Sequence, residues 1–270
     1  MFDPSGSPAG ALVRRLSLFS RLSADERRDI ELAATARTRR VPARQLIARQ
    51  GDRPRFVSIV LEGWACGYKY GREGRRQILG LYLPGEHCDS SIYILDRLDH
   101  SLEAITDVTV GEIAPADFRC LMGRSTIIAE ALWWEELVSS AIKREWIYSL
   151  TQRSAIERIA HLICELYLRL ASIGAAADQR MPFPLTQTDI AETTGLSPVH
   201  VNRMIQQLRR LQLICIDQRE LRLLEPQRLA ELAHFEPEYL HLSEGRAGER
   251  QPANSRLCTP GSGPNDAGRC

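Results

Sequence analysis

Leu185 to Ile214 reads LTQTDIAETTGLSPVHVNRMIQQLRRLQLI. Its second half carries Arg203, Arg209 and Arg210, and no acidic residue occurs between Glu192 and Asp217. Thr186 followed three residues later by Asp189 has capping-box spacing, which predicts a short helix beginning there. Gly195 supplies the left-handed backbone that ends such a helix. Ser197 can cap a second helix with Pro198 at its first position, where the missing N–H costs nothing and the fixed φ suits the turn. At about 100° per residue, Val201, Met204, Ile205, Leu208 and Leu211 share one apolar arc, while Val199, Arg203, Gln206 and Arg210 lie opposite.

Two short helices joined by a tight glycine turn, followed by two β-runs around a polar turn in ICIDQRELRLLEP (Ile214–Pro226), describe a winged helix-turn-helix. In that motif the second helix enters the major groove of DNA. The outward side chains have the chemistry for reading bases there. Arg203 can donate two bonds to guanine, Asn202 and Gln206 can pair with adenine, and Val199 can meet a thymine methyl. His200 and Arg210 are expected at phosphates, and the acid-free surface leaves those phosphates no repulsive neighbour. Three arginines alone would describe only a solvated amphipathic helix. The two caps, the turn, the proline and the hairpin together favour DNA.

Upstream the period changes. FVSIVLEGWACGYKYGREGRRQILGLYLPGEHCD (Phe56–Asp89) consists of short β-rich runs broken by glycines, with YGREGR reading as a hairpin turn. LEAITDVTVGEIAPADF (Leu102–Phe118) reads as closing strands running into a helix. Residues 19–125 are thus predicted to form an antiparallel β-domain, preceded by a flexible leader over 1–18 and opened by a helix that Ser23 caps. Residues 126–150 read as one long helix with two apolar seams. One comprises Ile127, Ala131, Trp134, Val138, Ala141 and Tyr148, interrupted by Glu145; the other comprises Ile128, Leu132, Ile142 and Trp146. A face that wide can pack on its own domain and on a second copy. Residues 151–235 hold the helix-turn-helix, with 175–184 as a linker, and 236–270 are rich in Gly, Pro, Ser and charge and read as a disordered tail. The fold class expected is α+β: an N-terminal jelly-roll-like antiparallel β-roll, a long dimerisation helix and a C-terminal winged helix-turn-helix domain.

Composition sets wider bounds. A chain of 270 residues can hold two ordinary domains, each with its own core. Lys plus Arg is 35 against 34 Asp plus Glu, so the net charge of +1 points to neither nucleic acid nor membrane, and any electrostatic argument is local. The seven cysteines (66, 88, 120, 164, 215, 258 and 270) show no metal-ligand or redox-motif spacing and fit free thiols in a reducing cytosol. No run approaches the ~18 apolar residues of a spanning helix, and the N-terminus lacks the pattern of a signal peptide. A cytoplasmic protein with no membrane partner, no catalytic residues and no metal site is expected.

The order of these parts resembles the Crp/Fnr family of bacterial transcription regulators. The likeness is carried by GDRPRFVSIVLEGWACGYKYGREGRRQILGLYLPGE (Gly51–Glu86), QRSAIERIAHLICEL (Gln152–Leu166) and the helix-turn-helix itself. It implies a cyclic-nucleotide-binding-like sensor domain and a homodimer on a pseudo-palindromic double-stranded operator, with RNA polymerase a partner if the protein activates. By motif position it places Val199, Asn202 and Arg203 at base edges and Thr186, Gln187 and Ser197 at phosphates. An effector pocket would fall at Gly85, Glu86, His100 and Ser101. Relatives that bind cyclic AMP carry Arg before Ser or Thr where this chain has His100 before Ser101. Loss of that charge-assisted contact argues against cyclic AMP, unless Arg97 substitutes. An iron–sulfur cluster is not expected, because the first cysteine is Cys66; a haem held by His87, Cys88 or His100 is a further alternative. Cys215 reads as a buried inert thiol rather than an oxidation switch.

Two other functions compete. EHCD (Glu86–Asp89) would supply ligands in a cupin-like metal enzyme, but no His-x-His accompanies it. A cyclic-nucleotide-binding regulatory module acting through protein contacts would leave the helix-turn-helix unexplained. Effector, operator, direction of regulation and any redox role of the thiols are not legible.

Overall fold

A computed structural model describes residues 7–53, 55–88, 94–95 and 97–242. Its first element corrects the expected leader: α1 (Gly10–Ser17) buries Ala11, Leu12, Val13, Arg15 and Leu16. Eight residues are too few to display a convincing period, yet their spacing gives one apolar face. In α2 (Ala24–Thr35) Ser23 accepts from the Glu26 amide at 3.2 Å and Glu26 returns a bond to the Ser23 amide at 2.8 Å, a full capping box.

The β-roll follows in seven strands: β1 (Thr38–Val41), β2 (Leu46–Ala48), β3 (Val57–Glu62), β4 (Ala65–Tyr70), β5 (Arg76–Tyr82), β6 (Ser101–Ala104) and β7 (Val108–Ile113). They pair antiparallel in two sheets, ordered β1-β7-β3 and β2-β6-β4-β5. Val41, Ile47, Val60, Ala65, Leu102, Val108 and Val110 form a core cluster that draws on both sheets. The expected YGREGR hairpin joins β4 to β5, closed by the Gly71 amide on the Arg75 carbonyl at 2.8 Å.

After α3 (Pro115–Arg124), Ser125 caps α4 (Thr126–Gln152), a helix of 27 residues. Both predicted seams turn largely inward within a single chain. Ile128, Ala131 and Leu132 pack on α1, α2 and β3, while Val138, Ile142 and Trp146 pack with α5 (Ala155–Ser172) and with Trp64, Tyr68 and Ile78 of the β-roll. Trp134 stacks on Phe19 with ring centroids 6.3 Å apart. Left facing outward are Trp133, Leu137 and Ile147, 60%, 52% and 65% exposed, with Tyr148 and Ile127 beside them.

The predicted linker contains β8 (Arg180–Pro182), which joins β9 (Ile214–Asp217) and β10 (Glu220–Leu223) in the order β8-β10-β9. Between them lie α6 (Gln187–Thr194) and α7 (Pro198–Arg210), and α8 (Pro226–Ala233) follows. A 3-10 turn over Pro237–Leu240 with Leu240 buried corrects the expected tail at those positions, because the Tyr239 hydroxyl donates to Glu165 at 3.0 Å. The remainder of that tail, from 243 onward, is outside the described residues. The β-roll and the C-terminal lobe share one core: Leu81 and Leu83 belong to the same cluster as Ile163, Ile190, Val201 and Leu208.

Candidate nucleic-acid interface

Local chemistry builds the helix pair as read. Thr186 accepts from the Asp189 amide at 3.2 Å, and the Asp189 carboxylate takes the Thr186 amide at 2.8 Å. Gly195 adopts φ 67°, and a Cβ there would stand 3.1 Å from Leu150, so the turn needs glycine for its backbone and for its closeness to α4. Ser197 accepts from the His200 amide at 3.2 Å, with Pro198 opening α7.

The faces of α7 separate cleanly. Val201, Ile205 and Leu208 are buried, and Met204 is half-buried. Leu211, placed on the inner arc, is exposed, because the helix ends at Arg210 and the chain turns away. Outward, Val199 is 72% exposed, Arg203, Gln206 and Arg210 are exposed, and Asn202 and His200 are half-buried. Thr186, Gln187 and Ser197 are exposed around the same helix pair. The nine side chains expected at DNA therefore belong to two adjoining helices and their caps. An exposed β-branched apolar residue in front of arginines, on a helix that carries no acid, is suited to a base methyl beside a polyanion.

The wing is anchored to this face. Arg209, one of the three arginines, donates to the Ile216 carbonyl at 2.6 Å and so ties the end of α7 to β9. Gln218 and Arg219 at the tip both have positive φ, 45° and 65°, the backbone of a type I′ turn. Cys215 is exposed on β9, which corrects the expectation of a buried thiol: its side chain falls on the outer side of a two-faced strand.

At the sensor end the four expected pocket residues do not converge. A cavity of about 260 Å³ is lined by Tyr82, His87, Cys88, His100, Glu136 and Lys143 among others, so of the four only His100 reaches it. The His100 Nδ1 lies 2.6 Å from Asp99, and the Nε2 atoms of His100 and His87 are buried without a hydrogen-bond partner among the described residues. Ser101 accepts from the Gln50 amide at 3.0 Å, and Arg97 donates instead to the Gly51 carbonyl at 2.8 Å. Gly85 (φ 87°) sits under α1, where a Cβ would come within 2.7 Å of the Ala11 carbonyl. Glu86 is buried and turned to Arg15 and Arg169. Among the described residues no three His, Cys, Asp or Glu side chains gather as a metal site; Asp89 of EHCD lies outside them.

A set of cations that join the lobes had no counterpart in the sequence reading. Arg44 takes both Asp189 oxygens at 2.6 and 2.7 Å, and Arg76 reaches Glu103 at 2.9 Å and Glu192 at 3.2 Å. Burial would raise the Asp189 pKa, but the bonds from Arg44 and Thr186 outweigh it and hold the carboxyl below its usual value. Beside Arg76, burial pushes the Cys66 thiol up to about 12, so it is inert. The available signal was charge inside an apolar helix: Glu165 and Arg169 lie four apart within LICELYLRL.

A β-roll fused through a long helix to a winged helix-turn-helix with a free acid-poor recognition face defines a DNA-binding regulator. Comparison with known proteins agrees. Residues 38–125 match the cyclic nucleotide-binding domain model and residues 157–232 the Crp-like helix-turn-helix domain model. The nitrogen fixation regulation protein FixK of Bradyrhizobium diazoefficiens is 30% identical over 86% of this chain and 97% of its own length. The transcriptional activator protein FnrL of Cereibacter sphaeroides is 25% identical, covering 76% and 82%. The solved structure of FixK2 from Bradyrhizobium japonicum superposes with a TM-score of 0.65 at 24% identity, over 73% of this chain and 96% of that one. The chain belongs to the Crp/Fnr family of transcription regulators, which are not enzymes. No helix among the described residues is long and apolar enough to cross a membrane.

Proposed function

We propose that this protein is a homodimeric, sequence-specific transcription regulator that lays α7 of each protomer in successive major grooves of a pseudo-palindromic operator. Val199, Asn202, Arg203 and Gln206 face base edges. Thr186, Gln187, Ser197, His200 and Arg210 meet phosphates, with Arg219 at the wing tip as a further contact. The observation that carries this reading is the two-faced α7, apolar inward and acid-free outward. Relatives named as transcriptional activators support action at promoters in the cytoplasm, with RNA polymerase as partner where the outcome is activation.

The dimer interface is read from what α4 leaves uncovered. Trp133, Leu137, Ser140, Arg144, Ile147 and Thr151 recur at alternating spacings of four and three, the 3.5-residue period of a coiled-coil seam. Large apolar side chains on such a line are covered by a second copy of the same helix, and two-fold symmetry then sets half-sites about one helical turn apart. Sequencing genomic fragments retained by the purified protein tests the whole reading. Enrichment of a two-fold-symmetric motif is expected, and recovery of fragments without any shared motif would remove sequence-specific regulation.

A further inference from the structure

The resemblance places Glu86 where an effector binds, but its carboxylate is fully engaged within the chain. Oε1 receives Arg15 Nη1 at 3.0 Å and Arg169 Nε at 3.2 Å; Oε2 receives Arg169 Nη2 at 2.6 Å and the Leu83 amide at 3.0 Å. Arg15 continues to Glu135 of α4 at 2.6 Å, and Arg169 continues to Glu165 at 2.8 Å and the Leu81 carbonyl at 2.7 Å. Three segments therefore meet at one buried carboxylate, α1, the turn after β5 and α5 of the DNA-binding lobe, and Arg15 ties α4 to them through Glu135. Burial works against ionising Glu86, but the two guanidinium groups prevail and hold its pKa below the usual range.

The space beside it is small. The cavity touching Arg15, Glu86, Glu135 and Arg169 measures about 20 Å³, room for roughly one water and no nucleotide. The larger cavity on the far side of His87 is not lined by Glu86. At the opposite edge of the same interface Arg44 and Arg76 of the β-roll hold Asp189 and Glu192 of α6. This docking leaves the outer face of α7 exposed.

We propose that Glu86 is a positioning residue for operator recognition: through Arg169, and with Arg44–Asp189 at the other edge, it fixes the DNA-binding lobe on the β-roll without any cyclic nucleotide. The lobe angle sets the distance between the two recognition helices of a dimer, so the property governed is the preferred half-site spacing. The proposal rests on the regulator reading above.

The test uses the full chain and an operator recovered from genomic DNA, rebuilt as a series in which the half-sites are moved apart by single base pairs. Wild-type protein is expected to bind without nucleotide and to favour one spacing, with no change on saturation with cyclic AMP. Glu86→Gln is expected to bind that spacing about tenfold more weakly and to discriminate poorly between spacings, a loss of the size usual for coupling between sites. A gain of about tenfold with cyclic AMP, or a folded Glu86→Gln protein with unchanged spacing preference, overturns the proposal. If Glu86→Gln does not fold, Arg44→Ala, which alters a half-exposed side chain, is expected to flatten the same preference, and an unchanged preference overturns the proposal equally. Absence of any operator for the wild type would instead defeat the regulator reading.

Discussion

Arg44, at a left-handed backbone position of the β-roll (φ 65°), spans both carboxylate oxygens of Asp189 at 2.6 and 2.7 Å. Asp189 also closes the capping box of α6, so one carboxylate links the sensor fold to the first helix of the DNA-binding pair. Arg44→Ala leaves this buried acid without a cation. Chemical denaturation at pH 7 is expected to show a loss of about 1.5–3 kcal/mol, the range for hydrogen bonds to charged groups. Because the folded-state pKa of Asp189 lies below 3.8, the contribution is present above that value and is lost as the pH falls through the folded one. The gap between wild type and variant should therefore narrow in acid; an equal gap at all pH values counts against the pair.

Arg203 is exposed in the middle of the outer face of α7. Its replacement by alanine removes a two-pronged donor and is expected to cost ~1–3 kcal/mol at one base position per half-site. Competition mobility shifts with operators altered at each position in turn provide the measurement. Specificity should relax at a single position, and undiminished discrimination everywhere would remove Arg203 from base reading.

Arg210 is expected to act differently, because it sits one helical turn beyond Gln206, the last of the residues proposed to face bases, at the end of α7. Arg210→Ala should weaken binding to all sequences alike and lower the slope of log affinity against log salt by about 1. Fluorescence anisotropy across a salt series reads the slope directly. Arg209 is the contrast: its bond to the Ile216 carbonyl makes it part of the scaffold. A change in sequence preference on replacing Arg210, with the slope intact, would reassign it to base contact.

The recognition face was legible because everything that makes it is local. Two caps, a left-handed glycine, an opening proline and a helical period all fall within thirty residues of Leu185. The sensor end was not legible for the opposite reason. Arg44 and Asp189 are 145 positions apart, and Arg15 and Glu135 are 120 apart, so no periodicity relates them. A motif can place Glu86 after a Pro-Gly turn, but the arginines that engage it come from α1 and α5. The apolar residues of α4 encircle most of the helix, so spacing alone cannot tell which stripe its own domain covers. Only packing shows that Val138 and Trp146 face inward while Leu137 and Ile147 do not.

That assignment makes Leu137 the discriminating position on α4. It is half-exposed in one chain, so Leu137→Glu should change the stability of the single protomer by no more than about 0.5 kcal/mol. Across a two-fold seam the same change sets two carboxylates against each other in an apolar contact. Sedimentation is expected to show a dimer for wild type and a monomer for the variant, with operator affinity falling accordingly. A dimeric Leu137→Glu protein would move the interface off this stripe.

His161 gives the DNA-binding lobe a built-in sensitivity to mild acid. It is buried in α5, stacked on Tyr239 with centroids 5.9 Å apart and edge-on to Phe235. Glu145 lies 3.4 Å from its Nε2, but that carboxylate already holds Arg153 at 2.7 Å, so little negative charge remains to favour an imidazolium. Burial, with Arg153 adding to it, lowers the pKa from 6.5 to about 3. Between those values the unfolded chain binds a proton that the folded chain does not, so stability falls as the pH drops through 6.5 and stops falling only near 3. At pH 5 the loss relative to neutrality is about 2 kcal/mol from this one side chain. His161→Phe keeps the ring packing and removes the proton, so urea midpoints measured from pH 7 to pH 5 should decline less steeply for the variant. Parallel declines for the two proteins would show that His161 is hydrated in the native state and does not carry this sensitivity.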